Sequence, residues 1–313
     1  MGPHADPTRI RVDRRGRRRR ALGGLLVVGA AALLADCDAA PRTPGALAPV
    51  DVPRPSPAPR PLERVELVTG GARAEDALPL VVAVHGVGDT PQGLAALYRD
   101  FPAPARVVLP RGPDAYRGGA SWFPLPWDAG RTPFVEGIAG AADRLAELLE
   151  TLPRERPTRG RPILTGFSQG GILTFAVATR RPDAVSAALP LAGWLPEELW
   201  PRSLPPGASA LPIRALHGGD DGLLPPEPTR LLVSSLRATG FDAELRVYPG
   251  VGHTLTREMV RDYYSALGEA VRREAARGAA PAERGERGDG AAAPGAARGA
   301  RASAEGAAPP IAP

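Results

Sequence analysis

Between residues 62 and 273, short apolar and β-branched runs alternate with longer stretches of helical period, and no other feature constrains the fold so tightly. Such alternation predicts an α/β domain, a mostly parallel central sheet flanked by helices. Strands are expected at residues 64–68, 80–84, 106–109, 163–165, 185–190, 213–216 and 243–248, and helices at 91–100, 134–152, 169–179, 228–239 and 254–273. The second helix has the clearest period: Ile138, Ala141, Ala142, Leu145, Leu148 and Leu149 share one face, with Asp143, Arg144 and Glu147 opposite. No internal repeat is present, and nothing marks a second domain.

The flanks differ in composition. Of 313 residues, 37 are Gly and 38 Pro, well above ordinary usage. Residues 38–62 read as a Pro-rich linker and residues 274–313 as a disordered Ala, Gly and Arg-rich tail, which leaves 63–273 for the folded domain. At the N-terminus an Arg-rich stretch, Arg14 to Arg20, precedes an apolar run from Ala21 to Ala35, so residues 1–37 are assigned to an export segment. An apolar run of 15 residues is short for a membrane span, and an uncleaved anchor is the alternative. The Arg14-Arg15 pair also fits a twin-arginine signal.

The only cysteine, Cys37, closes the string Leu34-Ala35-Asp36-Cys37, which resembles a bacterial lipoprotein cleavage box, with Asp36 where such boxes carry a small residue. The expected location is therefore outside the cytoplasm: periplasmic, attached to the membrane through the N-terminal segment or a lipid on Cys37, or secreted. A single cysteine excludes an intrachain disulfide and a cysteine-based metal site.

The formal charge is +5, but residues 1–20 carry eight Arg against two Asp, which accounts for all of it. The near-neutral remainder has no basic footprint for a phosphate backbone, so no nucleic-acid partner is expected.

The sharpest local signal is Gly166-Phe167-Ser168-Gln169-Gly170. An apolar strand, Ile163-Leu164-Thr165, runs into it and a helical stretch runs out, which is the setting of a nucleophile elbow. A serine hydroxyl attacks poorly until a base takes its proton. The predicted domain offers three histidines. His85 and His217 each end a buried strand and are followed by Gly, the setting of a structural histidine. His253 follows the loop Pro249-Gly250-Val251-Gly252 at the carboxyl end of the sheet, where open α/β folds keep their sites, and is the expected base.

The acid that orients the base should follow the strand at 213–216, where Asp220 and Asp221 stand side by side, and only one of them can face His253. Acyl transfer also needs two N–H groups for the developing oxyanion. Gln169 N–H is one; the loop His85-Gly86-Val87-Gly88-Asp89 should supply the other, with Val87 N–H the candidate.

In order along the chain, Val84-His85-Gly86-Val87-Gly88-Asp89, Ser121-Trp122-Phe123, Gly166-Phe167-Ser168-Gln169-Gly170-Gly171, Leu191-Ala192-Gly193-Trp194-Leu195-Pro196, His217-Gly218-Gly219-Asp220-Asp221 and Gly252-His253 resemble the motifs of the phospholipase/carboxylesterase family of α/β hydrolases, which includes the acyl-protein thioesterases. The resemblance spans about residues 63 to 270 and implies a single α/β-hydrolase domain. It also implies that Asp221, fifth in its string, is the acid, and that the oxyanion donors match Val87 and Gln169. Gly222-Leu223-Leu224-Pro225 departs from the Pro and Val-rich string usual in the family.

Trp122, Phe123, Trp127, Phe134, Trp194, Leu223 and Leu224 fall on the carboxyl side of the predicted sheet. Of these, Trp122, Trp194 and Leu224 are expected to line a substrate pocket. The chain thus reads as a serine esterase that cleaves small-molecule or lipid-like carboxylic or thio esters through an acyl-Ser168 intermediate, with Asp221 and His253 completing a triad and no metal or cofactor. Two rivals stand beside it: an exported polyester depolymerase or feruloyl-type esterase, and an envelope binding module on a hydrolase fold.

Overall fold

The computed structural model describes residues 61–277. The expected export segment at residues 1–37, with Cys37, nearly all of the expected linker and the residues after 277 lie outside the described residues.

The first half of the domain runs β1 (Arg64–Val68), β2 (Leu78–Val84), α1 (Pro91–Ala95), β3 (Arg106–Pro110), β4 (Asp114–Tyr116), β5 (Gly119–Ser121), α2 (Pro126–Ala129) and α3 (Arg131–Glu155). The second half runs β6 (Thr158–Phe167), α4 (Gln169–Arg180), β7 (Ala187–Leu191), β8 (Ile213–Gly218), α5 (Pro226–Thr239), β9 (Ala243–Tyr248) and α6 (Arg257–Arg277). The main sheet has seven strands in the order β1-β3-β2-β6-β7-β8-β9. Only β1 is antiparallel to its neighbour; every other pair is parallel. This is the α/β-hydrolase architecture, with β6 in the middle of the sheet.

Strand pleating sorts the core into two layers. In β2, which is buried along its whole length, Leu80, Val82 and Val84 face a cluster with α3, α4 and α5, while Val81 and Ala83 face one with Tyr98, Met259, Tyr263 and Leu267 from α1's extension and α6. Covering both faces explains why the strands read as continuous apolar runs rather than alternating ones. Helix α4 packs on β6, β7 and α3 at once, and all its residues from Gln169 to Thr179 are buried. A helix apolar on every side is stable only in such a position. On the other face the hydroxyls of Tyr98 and Tyr263, both 1% exposed, meet at 2.8 Å.

Several boundaries differ from expectation. Strand β6 starts at Thr158 rather than at residue 163, because its polar first residues pair through their backbone with Leu78 and Pro79 of β2. The expected helix at 91–100 is a short α-helix capped by the Thr90 hydroxyl, followed by a 3-10 turn at Ala96–Tyr98. Helix α6 begins at Arg257 and continues past residue 273 to Arg277. Its extra turn is held because Glu274, 1% exposed, accepts the Arg161 N–H at 2.9 Å. The β4-β5 hairpin was not expected. It turns at Arg117 (φ 45) and Gly118 (φ 86), the two positive φ values a tight primed turn needs.

Candidate active site

Ser168 stands at the junction of β6 and α4 with φ 57 and ψ −115, a backbone conformation non-glycine residues seldom adopt. The turn closes so tightly that a Cβ on Gly170 would come within 2.0 Å of Val84 O, and one on Gly166 within 2.6 Å of the Gly170 backbone. Glycine two positions either side of the serine is therefore a steric requirement. Ser168 N–H donates to Leu191 O at 3.0 Å and Ile172 N–H to Ser168 O at 3.0 Å, which fixes the elbow against β7 and the first turn of α4.

Ser168 Oγ lies 3.0 Å from His253 Nε2, and His253 Nδ1 lies 2.7 Å from Asp221 Oδ2. A carboxylate only accepts, so Nδ1 carries the proton and Nε2 presents a lone pair to the serine hydroxyl. The loop after β9 carries His253, and the Phe167 ring packs against its imidazole with centroids 4.9 Å apart, which limits how the ring can turn.

Asp221 is 3% exposed, in the loop after β8. Burial works to raise its carboxyl, but hydrogen bonds from Leu224 N–H at 2.8 Å and from His253 and Leu223 outweigh it and hold the group below its ordinary value. Sequence reasoning missed a further neighbour. His217 Nε2 sits 2.8 Å from Leu224 O and 3.4 Å from Asp221 Oδ2, and its Nδ1 is 3.2 Å from the Thr229 hydroxyl. Facing a carbonyl and a carboxylate, Nε2 must carry a proton, so this buried imidazole backs the acid. Burial pushes the His217 imidazole below its ordinary value of 6.5. Asp220, the alternative acid, is exposed and accepts the Gly250 N–H at 3.3 Å.

Gln169 is the first residue of α4, so its N–H has no intrahelical acceptor. The loop after β2 passes beside it: a Cβ on Gly86 would lie 3.2 Å from Ser168 Cβ. In that loop Gly88 N–H is committed to Ala120 O at 2.8 Å and Asp89 N–H to Gly86 O at 3.3 Å, while among the described residues Val87 N–H has no backbone acceptor. Val87 N–H and Gln169 N–H are thus both without a backbone acceptor among the described residues, in two segments that adjoin Ser168.

The expected pocket residues divide. Trp194 and Leu224 are partly buried against the core cluster, with the Trp194 ring 6.3 Å from that of Phe134. Trp127 and Leu223 are 67% and 56% exposed. Trp122 is 3% exposed, its indole N–H donates to His85 O at 3.0 Å, and the cavity it lines, about 300 Å³ beside Phe123, Pro124 and Gly137, does not include Ser168. The tight turn of Ser121-Trp122-Phe123, in which Ser121 Oγ–H donates to Phe123 O at 2.9 Å, carries the indole inward. Among the described residues no cluster of three or more His, Cys, Asp or Glu side chains has the arrangement of a metal site.

Comparison with known proteins adds to this geometry. The family model described as phospholipase/carboxylesterase matches residues 68–269. A probable carboxylesterase of Oryza sativa subsp. japonica is 28% identical over 192 residues, covering 57% of this chain and 72% of that protein. Acyl-protein thioesterase 1 of Gibberella zeae is 26% identical over 198 residues, covering 57% and 84%. Among solved structures, esterase PE8 superposes with a TM-score of 0.57 at 27% identity, covering 67% of this chain and 99% of that one. The acyl-protein thioesterase 2 of Zea mays shares the fold with a TM-score of 0.52 at 24% identity, covering 67% and 99%.

Proposed function

The chain belongs to the phospholipase/carboxylesterase family, and on that premise we propose that it is a serine esterase whose nucleophile, base and acid are Ser168, His253 and Asp221. Its relatives include a carboxylesterase and an acyl-protein thioesterase, so hydrolysis of small-molecule or lipid-like esters is the chemistry of this domain. The observation that carries the finer assignment is the relay of 3.0 Å and 2.7 Å from Ser168 through His253 to Asp221, built on a backbone that holds Ser168 at positive φ.

As His253 Nε2 takes the hydroxyl proton, Ser168 Oγ bonds to the ester carbon and the carbonyl π pair moves onto oxygen. Val87 and Gln169 N–H receive that oxyanion; each such donor lowers the barrier by about 3–4 kcal/mol. The tetrahedral adduct collapses, the C–O or C–S bond to the leaving group breaks, and the imidazolium returns the proton to the departing alcohol or thiol. Water then repeats the sequence on acyl-Ser168 and releases the acid. Asp221 holds Nδ1–H in place and stabilises the imidazolium in both halves.

The test is labelling by a fluorophosphonate together with turnover of p-nitrophenyl esters of increasing acyl length. Ser168→Ala should abolish labelling and lower turnover on the order of a millionfold while the protein stays folded. Labelling that survives in Ser168→Ala overturns the assignment.

We extend the reading to an exported enzyme, on the strength of the Arg14 to Arg20 stretch and the apolar run that follows it. If Cys37 bears a lipid, Cys37→Ser moves the enzyme from the detergent phase to the aqueous one. Recovery of the intact N-terminus on active cytosolic protein argues against export.

A further inference from the structure

Two hydrogen bonds and one ring contact converge on Trp122, a buried residue with no hydrogen bond to the nucleophile or the base among the described residues. The Trp122 indole N–H donates to His85 O at 3.0 Å, and its backbone N–H donates to Gln169 Oε1 at 3.0 Å. The Trp122 ring also packs on the His85 imidazole, with centroids 5.3 Å apart. His85 and Gln169 belong to the two segments that carry the candidate oxyanion donors. We infer that Trp122 is a positioning residue that couples the two halves of the oxyanion hole and sets the spacing between Val87 N–H and Gln169 N–H. The inference rests on the esterase reading above.

The route to Val87 runs through His85. Gly112 N–H donates to His85 Nε2 at 3.0 Å, so Nε2 must accept and the ring proton sits on Nδ1, which faces Gly86 O at 2.7 Å. Gly86 C=O and Val87 N–H share one trans peptide plane and point in opposite directions. Drawing Gly86 O toward the imidazole therefore turns Val87 N–H the other way. The indole bond to His85 O holds the preceding peptide. Two consecutive planes of the loop are thus tied down by side chains, and both ties depend on where Trp122 and His85 stack.

The route to Gln169 runs through its own side chain. The amide is 3% exposed; besides accepting from Trp122 N–H, its Nε2 donates to Phe123 O at 3.1 Å and to Ser121 Oγ at 3.1 Å. The first residue of α4 is thereby fixed to the Ser121-Trp122-Phe123 turn. The strand that leads into this turn holds the far side of the oxyanion loop, since Ala120 N–H donates to Asp89 O at 3.0 Å. One short segment therefore grips both donors, although neither is its neighbour in sequence.

A residue that only filled the core would, when altered, change stability and leave the reaction profile alone. A residue that spaces the donors acts on both acylation and deacylation, because the same hole serves both tetrahedral adducts. When the two steps slow together, kcat falls and KM stays, since their ratio is unchanged. Trp122→Phe keeps an aromatic ring at this position and removes the indole N–H. It should lower kcat roughly tenfold to a hundredfold, less than or equal to the loss of a whole donor, with KM within about twofold of wild type. The inhibition constant of a trifluoromethyl ketone, which forms a tetrahedral oxyanion on serine, should rise by the same factor as kcat/KM falls.

Gln169→Met provides a second arm: it removes the clamped amide, keeps the backbone N–H, and should move the same two quantities in the same direction. It carries the test alone if Trp122→Phe does not fold. Unchanged kcat, a rise in KM instead, or a ketone constant that does not follow kcat/KM overturns the coupling role while wild-type enzyme still reacts with the ketone at Ser168. Wild-type enzyme that forms no adduct at Ser168 brings down the esterase reading, and this inference with it.

Discussion

Asp220 and Asp221 are adjacent in the chain but committed to different partners: Asp221 Oδ2 meets His253 Nδ1 at 2.7 Å, whereas Asp220 Oδ1 accepts the Gly250 N–H at 3.3 Å from an exposed position. Asp221→Asn puts an amide opposite Nδ1 and favours the histidine tautomer that cannot accept the serine proton. It should lower kcat about 10⁴-fold, as the equivalent change does in trypsin. Asp220→Asn should cost less than about tenfold, as a surface change. Kinetics of both at about pH 8, above the range in which imidazoles ordinarily titrate, separate the two; if Asp220→Asn is the crippled variant, the acid has been misassigned.

Two buried histidines make stability depend on pH. Burial lowers the imidazoles of both His85 and His217 from the ordinary value of 6.5. Below that value the unfolded chain binds protons that the folded chain refuses, so stability is complete above pH 6.5 and is lost as pH falls toward the folded-state values. Asp221, with its carboxyl lowered, gives a separate loss only when pH falls through its own, more acid, value. Melting temperature should therefore be flat above neutrality and decline as the pH is lowered through 6.5. His217→Gln should flatten part of that decline; an unchanged slope would show that His217 does not contribute.

The hydroxyls of Tyr98 and Tyr263 join the segment after α1 to α6 inside the core. Removing one leaves the other without its partner, so Tyr98→Phe and Tyr263→Phe should each cost about 1–3 kcal/mol. The double variant should cost less than the sum, with a coupling of about 1 kcal/mol. Additive urea-unfolding energies would mean that the pair contributes nothing beyond packing.

Cutting the chain after Arg273 removes Glu274 and strips the Arg161 N–H of its acceptor. Such a variant should lose about 1–3 kcal/mol relative to one ending at Arg277, with kcat unaltered, because Arg161 lies in the first half of β6, whereas Ser168 follows its last residue. Equal urea midpoints for the two would show that the last turn of α6 is dispensable.

Most of the sheet and the residues that meet at Ser168 are legible in the sequence, because apolar runs announce buried strands and short Gly-bracketed strings announce turns. What escaped has no local signature. The pairing of Thr158 with Leu78 is a backbone contact between polar and apolar ends, and the strands of the β4-β5 hairpin are three residues each, too short to leave a periodic pattern. Phe167 against His253, His217 behind Asp221, and the Gln169 side chain on a turn 47 residues away are all tertiary contacts, invisible until the strands are laid side by side. Trp122 shows the limit from the other direction: its place on the carboxyl side of the sheet was readable, but not that a tight turn would carry the indole inward.

The proposed base follows the proposed nucleophile by 85 residues and the proposed acid by 32, and β9 and α6, which fix its loop, come near the end of the domain. On the proposed roles, the serine hydroxyl emerges during synthesis long before the histidine that takes its proton. A nascent or chaperone-held molecule should therefore carry an inert alcohol, and its chemistry should appear only once the last strand has joined the sheet. Fragments that stop short of β9 should be silent however well their earlier strands have formed, so the order of synthesis itself delays esterase activity until the fold is whole.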